Sequence, residues 1–170
     1  MRQYQPTTAA EISPGIPMGG SQVRALGGRE LMLPWACRRI LWVDDSSLLL
    51  SLYKSGFEQL GFQILATSSP AEALQLVSSG EADLAILDYD MPEMDGGMLA
   101  SLIKDRYPMF PVILHSGNTS IPSSAHHSVD AVCAKGSPRQ ELLNTIERLA
   151  LKTAAHLLEP LPIFTPSSNH

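Results

Sequence analysis

The stretch Leu84-Ala85-Ile86-Leu87-Asp88-Tyr89-Asp90-Met91-Pro92-Glu93-Met94-Asp95-Gly96 decides the fold. Leu84–Leu87 is apolar without interruption and is bounded by Asp83 and Asp88. A short continuous apolar run closed by polar residues is the pattern of a strand buried on both faces of a parallel sheet. Pro92 and Gly96 then favour a turn, so the chain leaves the sheet at Asp88 and becomes helical again from Gly97.

The same alternation continues in both directions. Toward the carboxyl end, Gly97–Arg106 is a helix with Leu99, Leu102 and Ile103 on one side, and Val112–His115 and Ala131–Ala134 are strands. Only the 13 residues Asn118–Asp130 lie between those two strands and Pro122 interrupts them, so a fourth helix must be short or irregular. Ser137-Pro138-Arg139-Gln140 is a capping box opening a last helix with Leu142, Leu143, Ile146, Leu149 and Leu157 facing inward.

Toward the amino end, Ser69-Pro70-Ala71-Glu72 is another capping box, with proline at the first helical position, and Gly80 ends that helix. Gln63–Thr67 and Ile40–Val43 are strands. Between them Asp45 or Ser46 caps a helix whose apolar positions Leu49, Leu52, Tyr53, Gly56 and Leu60 recur at helical spacing and stop at Gly61. Five apolar strands separated by amphipathic helices predict a doubly wound α/β domain, a parallel sheet with helices on both faces.

The flanks read differently. Residues 1–38 hold four prolines and five glycines without periodicity, the composition of a flexible arm. The domain occupies 39–150, and 151–170 is the end of the last helix with a short Pro- and Ser-containing tail. The apolar segment Leu31–Val43 is broken by Pro34, Arg38 and Arg39, and nothing approaches the ~18 apolar residues of a membrane span. Cys37 and Cys133 are too few for a disulfide framework, which points to reduced thiols and a cytoplasmic setting. A net charge of −5 offers no basic field for nucleic acid, so output through protein–protein contact is expected.

In an open parallel sheet, ligands bind beyond the carboxyl ends of the strands. Here those ends run into Asp44 and Asp45, Asp88, Ser116 and Lys135. With strand order 2-1-3-4-5 the first and third strands are neighbours, and Asp44, Asp45 and Asp88 converge. Two carboxylates ~4 Å apart repel by roughly 4 kcal/mol at an effective dielectric of ~20, which calls for protonation or a cation. A hard divalent ion, Mg²⁺, suits oxygen ligands of this kind. Lys135 as a point charge and Ser116 as a hydroxyl donor would complete a site for phosphoryl transfer. Each residue also has an ordinary explanation: Asp45 as a helix cap, Asp88 as a turn former, Ser116-Gly117 as a strand exit and Lys135 as a solvated lysine. His115, His126 and His127 lack metal-ligand spacing and read as solvated loop histidines.

Four segments together carry a family resemblance: Leu41–Asp45, Leu87–Gly96, Pro111–Gly117 and Lys135. They resemble the receiver domain of two-component response regulators, over roughly residues 39–150. The resemblance implies a flavodoxin-like five-stranded fold in which Asp88 accepts phosphate from a sensor histidine kinase or phosphotransfer protein. Asp44, Asp45, Asp88 and the backbone carbonyl of Asp90 would hold Mg²⁺, while Ser116 and Lys135 would contact the phosphoryl group. Gly117 would leave room for phosphate access. Such a protein is a phosphoacceptor that catalyses only its own phosphorylation and dephosphorylation, signalling to a downstream protein that the sequence does not name.

The sequence departs from that pattern where Gly136 replaces the usual proline after the lysine and Val132 replaces the usual aromatic. These changes, with the shortened fourth helix, favour an alternative: a receiver-like scaffold that binds partners without phosphorylation. Leu87-Asp88-Tyr89-Asp90 also fits a fragment of haloacid-dehalogenase-type phosphatases, although Pro92 stands where those enzymes want threonine or valine.

Overall fold

A computed structural model describes residues 23–24, 30–31, 37–117 and 121–157. The main sheet contains β1 (Arg39–Val43), β2 (Gln63–Thr67), β3 (Leu84–Asp88), β4 (Val112–Ser116) and β5 (Ala131–Ala134). All neighbours are parallel and the order is β2-β1-β3-β4-β5, the expected 2-1-3-4-5. Four helices connect them, α1 (Ser47–Glu58), α2 (Pro70–Ser78), α3 (Gly96–Arg106) and α4 (Ser123–His126), and α5 (Arg139–Leu157) follows β5. Outside this sheet, Val23–Arg24 and Glu30–Leu31 form a two-residue antiparallel ladder. The rest of residues 1–36, and 158–170, lie outside the described residues, as does the Leu157 side chain.

Burial explains why the strands could be read. Every residue of β3 and β4 is buried, so these central strands have no polar face to alternate with. The edge strands β2 and β5 mix exposed and buried positions. One core packs Ile40, Trp42, Ile86 and Ile113 against α1 and α5; the other packs Leu41, Val43, Ala85 and Leu87 against α2 and α3. Cys37 and Cys133 are buried free thiols in the first core.

Two helix faces differ from expectation. On α1 the buried residues are Leu50 and Phe57, with Tyr53 partly buried, while Leu52 is 63% exposed. Four leucines within Leu48–Leu52 support several stripes at once, and the bulk of Phe57 and the stacking of Tyr53 on Trp42 select one. On α3, Leu99 and Ile103 are buried but Leu102 is exposed. That helix begins at Gly96 because Asp95 caps it, accepting from the Met98 N–H at 2.8 Å. The short fourth helix is a single turn, as Pro122 and the short connection require.

Candidate functional site

The carboxyl ends of β1, β3, β4 and β5 meet at one rim. Asp44 follows β1, Asp88 is the last residue of β3, Ser116 the last of β4, and Lys135 follows β5. Asp44 and Asp88 are almost completely buried, whereas Asp45 is exposed. One carboxylate oxygen from each of the three lies within 4.8 Å of the others. The Lys135 ammonium bridges two of them, 2.8 Å from Asp44 Oδ2 and 3.0 Å from Asp88 Oδ2.

Local geometry fixes each group. The Ser46 backbone N–H donates to Asp44 Oδ1 at 2.9 Å, an Asp-to-i+2 turn, while the Ser46 hydroxyl caps α1. Asp45 is therefore not the cap, and makes no hydrogen bond or ion pair among the described residues. The Lys135 N–H donates to the Ser116 carbonyl at 2.8 Å, which anchors the lysine backbone although Gly136 follows it. Asp88 Oδ1 accepts from the Asp90 N–H at 3.3 Å, and the Ser116 hydroxyl lies 3.5 Å from Asp90 Oδ2. A Cβ at Gly117 or Gly136 would meet nothing within 4 Å, so the rim is open beside both.

Gly96 is the opposite case. A Cβ there would stand 2.1 Å from the Asp88 carbonyl oxygen, so only glycine lets the start of α3 press against the end of β3. The loop between them turns through Glu93, whose φ of 68° is rare outside glycine.

The electrostatics are lopsided. Burial pushes the Asp88 carboxyl above its ordinary pKa; the Lys135 hydrogen bond and charge oppose this without cancelling it, and the Asp44 charge adds to it. For Lys135, burial favours losing the proton, but hydrogen bonds to Asp44 and Asp88 outweigh burial and raise its pKa. One lysine does not neutralise two buried carboxylates. Within 4.8 Å the buried Asp44–Asp88 pair costs roughly 3 kcal/mol at an effective dielectric of ~20, and the exposed Asp45 adds less because water screens it. Three carboxylates and one ammonium leave two negative charges, which one divalent cation matches. Buried and exposed oxygens on a partly open rim fit a hard ion that keeps some of its waters, such as Mg²⁺.

Directly beneath the rim is an aromatic layer that sequence reasoning did not assemble. Trp42 stacks on Tyr53 at 4.3 Å and meets Phe57 edge-on at 5.0 Å. His115 is edge-on to both Trp42 (5.7 Å) and Tyr53 (5.4 Å). His115 is thus no solvated loop residue but a strand residue 4% exposed, while His126 and His127 are exposed as expected. Burial, then the Lys135 charge, lowers its pKa to about 4, which keeps it neutral. His115 Nδ1 and Trp42 Nε1 are buried without a hydrogen-bond partner among the described residues, a cost of about 1–3 kcal/mol each where none is supplied. The sequence signal for the layer was Trp42 alone, two positions before Asp44 on the same strand face.

Comparison with known proteins agrees with this geometry. Residues 40–147 match the family model described as response regulator receiver domain. Response regulator SaeR of Staphylococcus epidermidis is 32% identical over 115 residues, covering 65% of this chain and 50% of SaeR. The alkaline phosphatase synthesis transcriptional regulatory protein PhoP of Bacillus subtilis is 29% identical over 77 residues, covering 45% of this chain and 32% of PhoP. The chain thus spans half or less of the length of these relatives. Among solved structures, response regulator TrrA of Thermotoga maritima in complex with Mg²⁺-BeF is 29% identical with a TM-score of 0.62, covering 66% of this chain and 98% of that one.

Proposed function

The chain belongs to the response regulator receiver domain family, and from that premise we propose that residues 39–150 accept a phosphoryl group onto Asp88 in a Mg²⁺-dependent phosphorelay. The observation that carries this reading is the Lys135 ammonium held between Asp44 and Asp88, with the Asp45 carboxylate free at the same rim. The donor is a phosphohistidine of a sensor kinase or phosphotransfer protein. An Asp88 oxygen forms the new bond to phosphorus as the bond from phosphorus to the imidazole nitrogen breaks; that nitrogen keeps the electron pair, and Asp88 becomes an acyl phosphate.

Asp44, Asp45, Asp88 and the Asp90 carbonyl would hold Mg²⁺, which when bound neutralises charge on the phosphoryl oxygens. Lys135 passes from Asp88 Oδ2 to a phosphoryl oxygen, and Ser116 turns from Asp90 toward another. Asp90 leaves a further carboxylate beside the acyl phosphate, so Asp90→Asn should change its lifetime; equal hydrolysis rates would exclude this. The output is a protein contact, in the cytoplasm.

The test is intact mass after acetyl phosphate treatment. One phosphoryl addition is expected with Mg²⁺ and none in Asp88→Asn or with chelator; addition to Asp88→Asn would refute the assignment. A second reading, a scaffold that binds its partner regardless of phosphate, is favoured by the single-turn α4 and by Val132 at 36% exposure on β5. Partner affinity unchanged by phosphorylation would select it.

A further inference from the structure

Side-chain alternation places Trp42, His115 and Cys133 on the same face of the sheet as Asp44, Asp88 and Lys135: Trp42 and Cys133 lie one step deeper on their own strands than Asp44 and Lys135, and His115 lies level with Asp88. His115 is also the residue before Ser116 and the register neighbour of Asp88. The aromatic layer thus adjoins each group proposed to handle the phosphoryl. Beside it lies a cavity of about 170 Å³, walled by Tyr53, Phe57, His115, Lys135, Arg139 and Leu142. The cavity is partly open to solvent, and it is shared by Lys135 and by the one aromatic ring of the layer that α1 holds half-buried. Tyr53 already feels the site: after burial, the charges acting on its hydroxyl are those of Lys135, Asp44 and Asp88. Across the sheet, Val132 offers only a short, partly exposed side chain.

We infer that Tyr53 transmits the state of Asp88 to helix α1, leaving its stack on Trp42 for the adjoining cavity when Lys135 follows the phosphoryl group. The inference rests on the phosphoacceptor reading. Its physical basis is that Lys135 cannot keep both present contacts, at 2.8 and 3.0 Å, once a phosphoryl group is attached to Asp88. The lysine stem shares a cavity wall with Tyr53, and the ring has free volume to enter. Tyr53 is a positioning and reporting residue, not a catalytic one.

Trp35→Phe leaves Trp42 as the sole tryptophan. In that background, treatment with acetyl phosphate and Mg²⁺, monitored by intact mass, should change Trp42 emission and raise its quenching by acrylamide. Tyr53→Phe should retain both changes. Tyr53→Leu should take up the phosphoryl group and lose the emission change. Full phosphorylation with unaltered emission and quenching in the parent would overturn the inference alone, as would a response in Tyr53→Leu equal to the parent's. No mass increment in the parent would overturn the phosphoacceptor reading and this inference with it.

Discussion

The two rims of the sheet treat carboxylates in opposite ways. At the amino ends of the strands each acid is matched. Asp83 accepts from the Arg38 and Arg39 backbone N–H groups at 3.1 and 2.8 Å and from the Arg39 guanidinium at 2.5 Å. Asp130 accepts from Lys104 at 2.6 Å and from the Val112 N–H at 2.9 Å. At the carboxyl ends Asp44 and Asp88 share Lys135 alone among the described lysines and arginines, and the neighbouring Asp45 pairs with none of them. The first rim joins strands together. The second holds unbalanced charge, which serves a ligand better than it serves stability. An aspartate at a strand end therefore says little until its partners are counted.

The largest effect should come from packing at the second rim. Gly96→Ala must displace either α3 or the end of β3, so a loss of more than about 3 kcal/mol is expected in urea denaturation, with loss of phosphoryl uptake. Wild-type stability would mean that α3 is not pressed on Asp88.

Next is pH. His115 takes a proton at 6.5 when unfolded but only at about 4 when folded. The unfolded state therefore binds more protons between those values, so this residue's contribution is complete above pH 6.5 and falls as pH drops toward 4. The fall is at most about 3 kcal/mol. Asp88, with its raised pKa, works in the opposite direction at the acid end. The acid-side loss should shrink in His115→Leu and grow in Asp88→Asn, as read from melting temperatures across pH 4–7. An identical pH profile in His115→Leu would show that His115 is not held neutral.

The rims themselves are contrasted by Asp83→Ala and Asp45→Asn. Asp83→Ala strands two backbone N–H groups and should cost about 2 kcal/mol. Asp45→Asn removes repulsion and, in Mg²⁺-free buffer, should leave stability equal or raise it by up to about 1 kcal/mol. Equal losses in both would erase the distinction between the rims.

How much of this was legible depended on distance along the chain. Asp44, Asp88, Ser116 and Lys135 could be located because each ends or follows an apolar run, and parallel strands deliver their ends to one rim. Where several choices satisfied the same local rule, sequence could not decide. The crowded leucines of α1 allowed the wrong stripe, and Glu72 satisfied the capping-box spacing yet bonds the Thr67 hydroxyl at 2.5 Å, which in turn accepts from the Ser69 N–H. Asp95 has the signature of a helix cap, but Gly96 also fits the preceding turn, so sequence alone places the start one residue late, at Gly97. The Trp42–Tyr53–His115 layer was illegible for a stronger reason: it joins residues from three elements whose register is set only by the folded sheet.

The account stands most directly on the charge imbalance at the carboxyl rim. Calorimetric titration of Mg²⁺ into the intact chain should show a single site, with a rise in melting temperature equivalent to about 1.4 kcal/mol at tenfold excess over the dissociation constant, and both should be lost in Asp44→Asn. Absence of Mg²⁺ uptake by the parent, or uptake undiminished in Asp44→Asn, would contradict it.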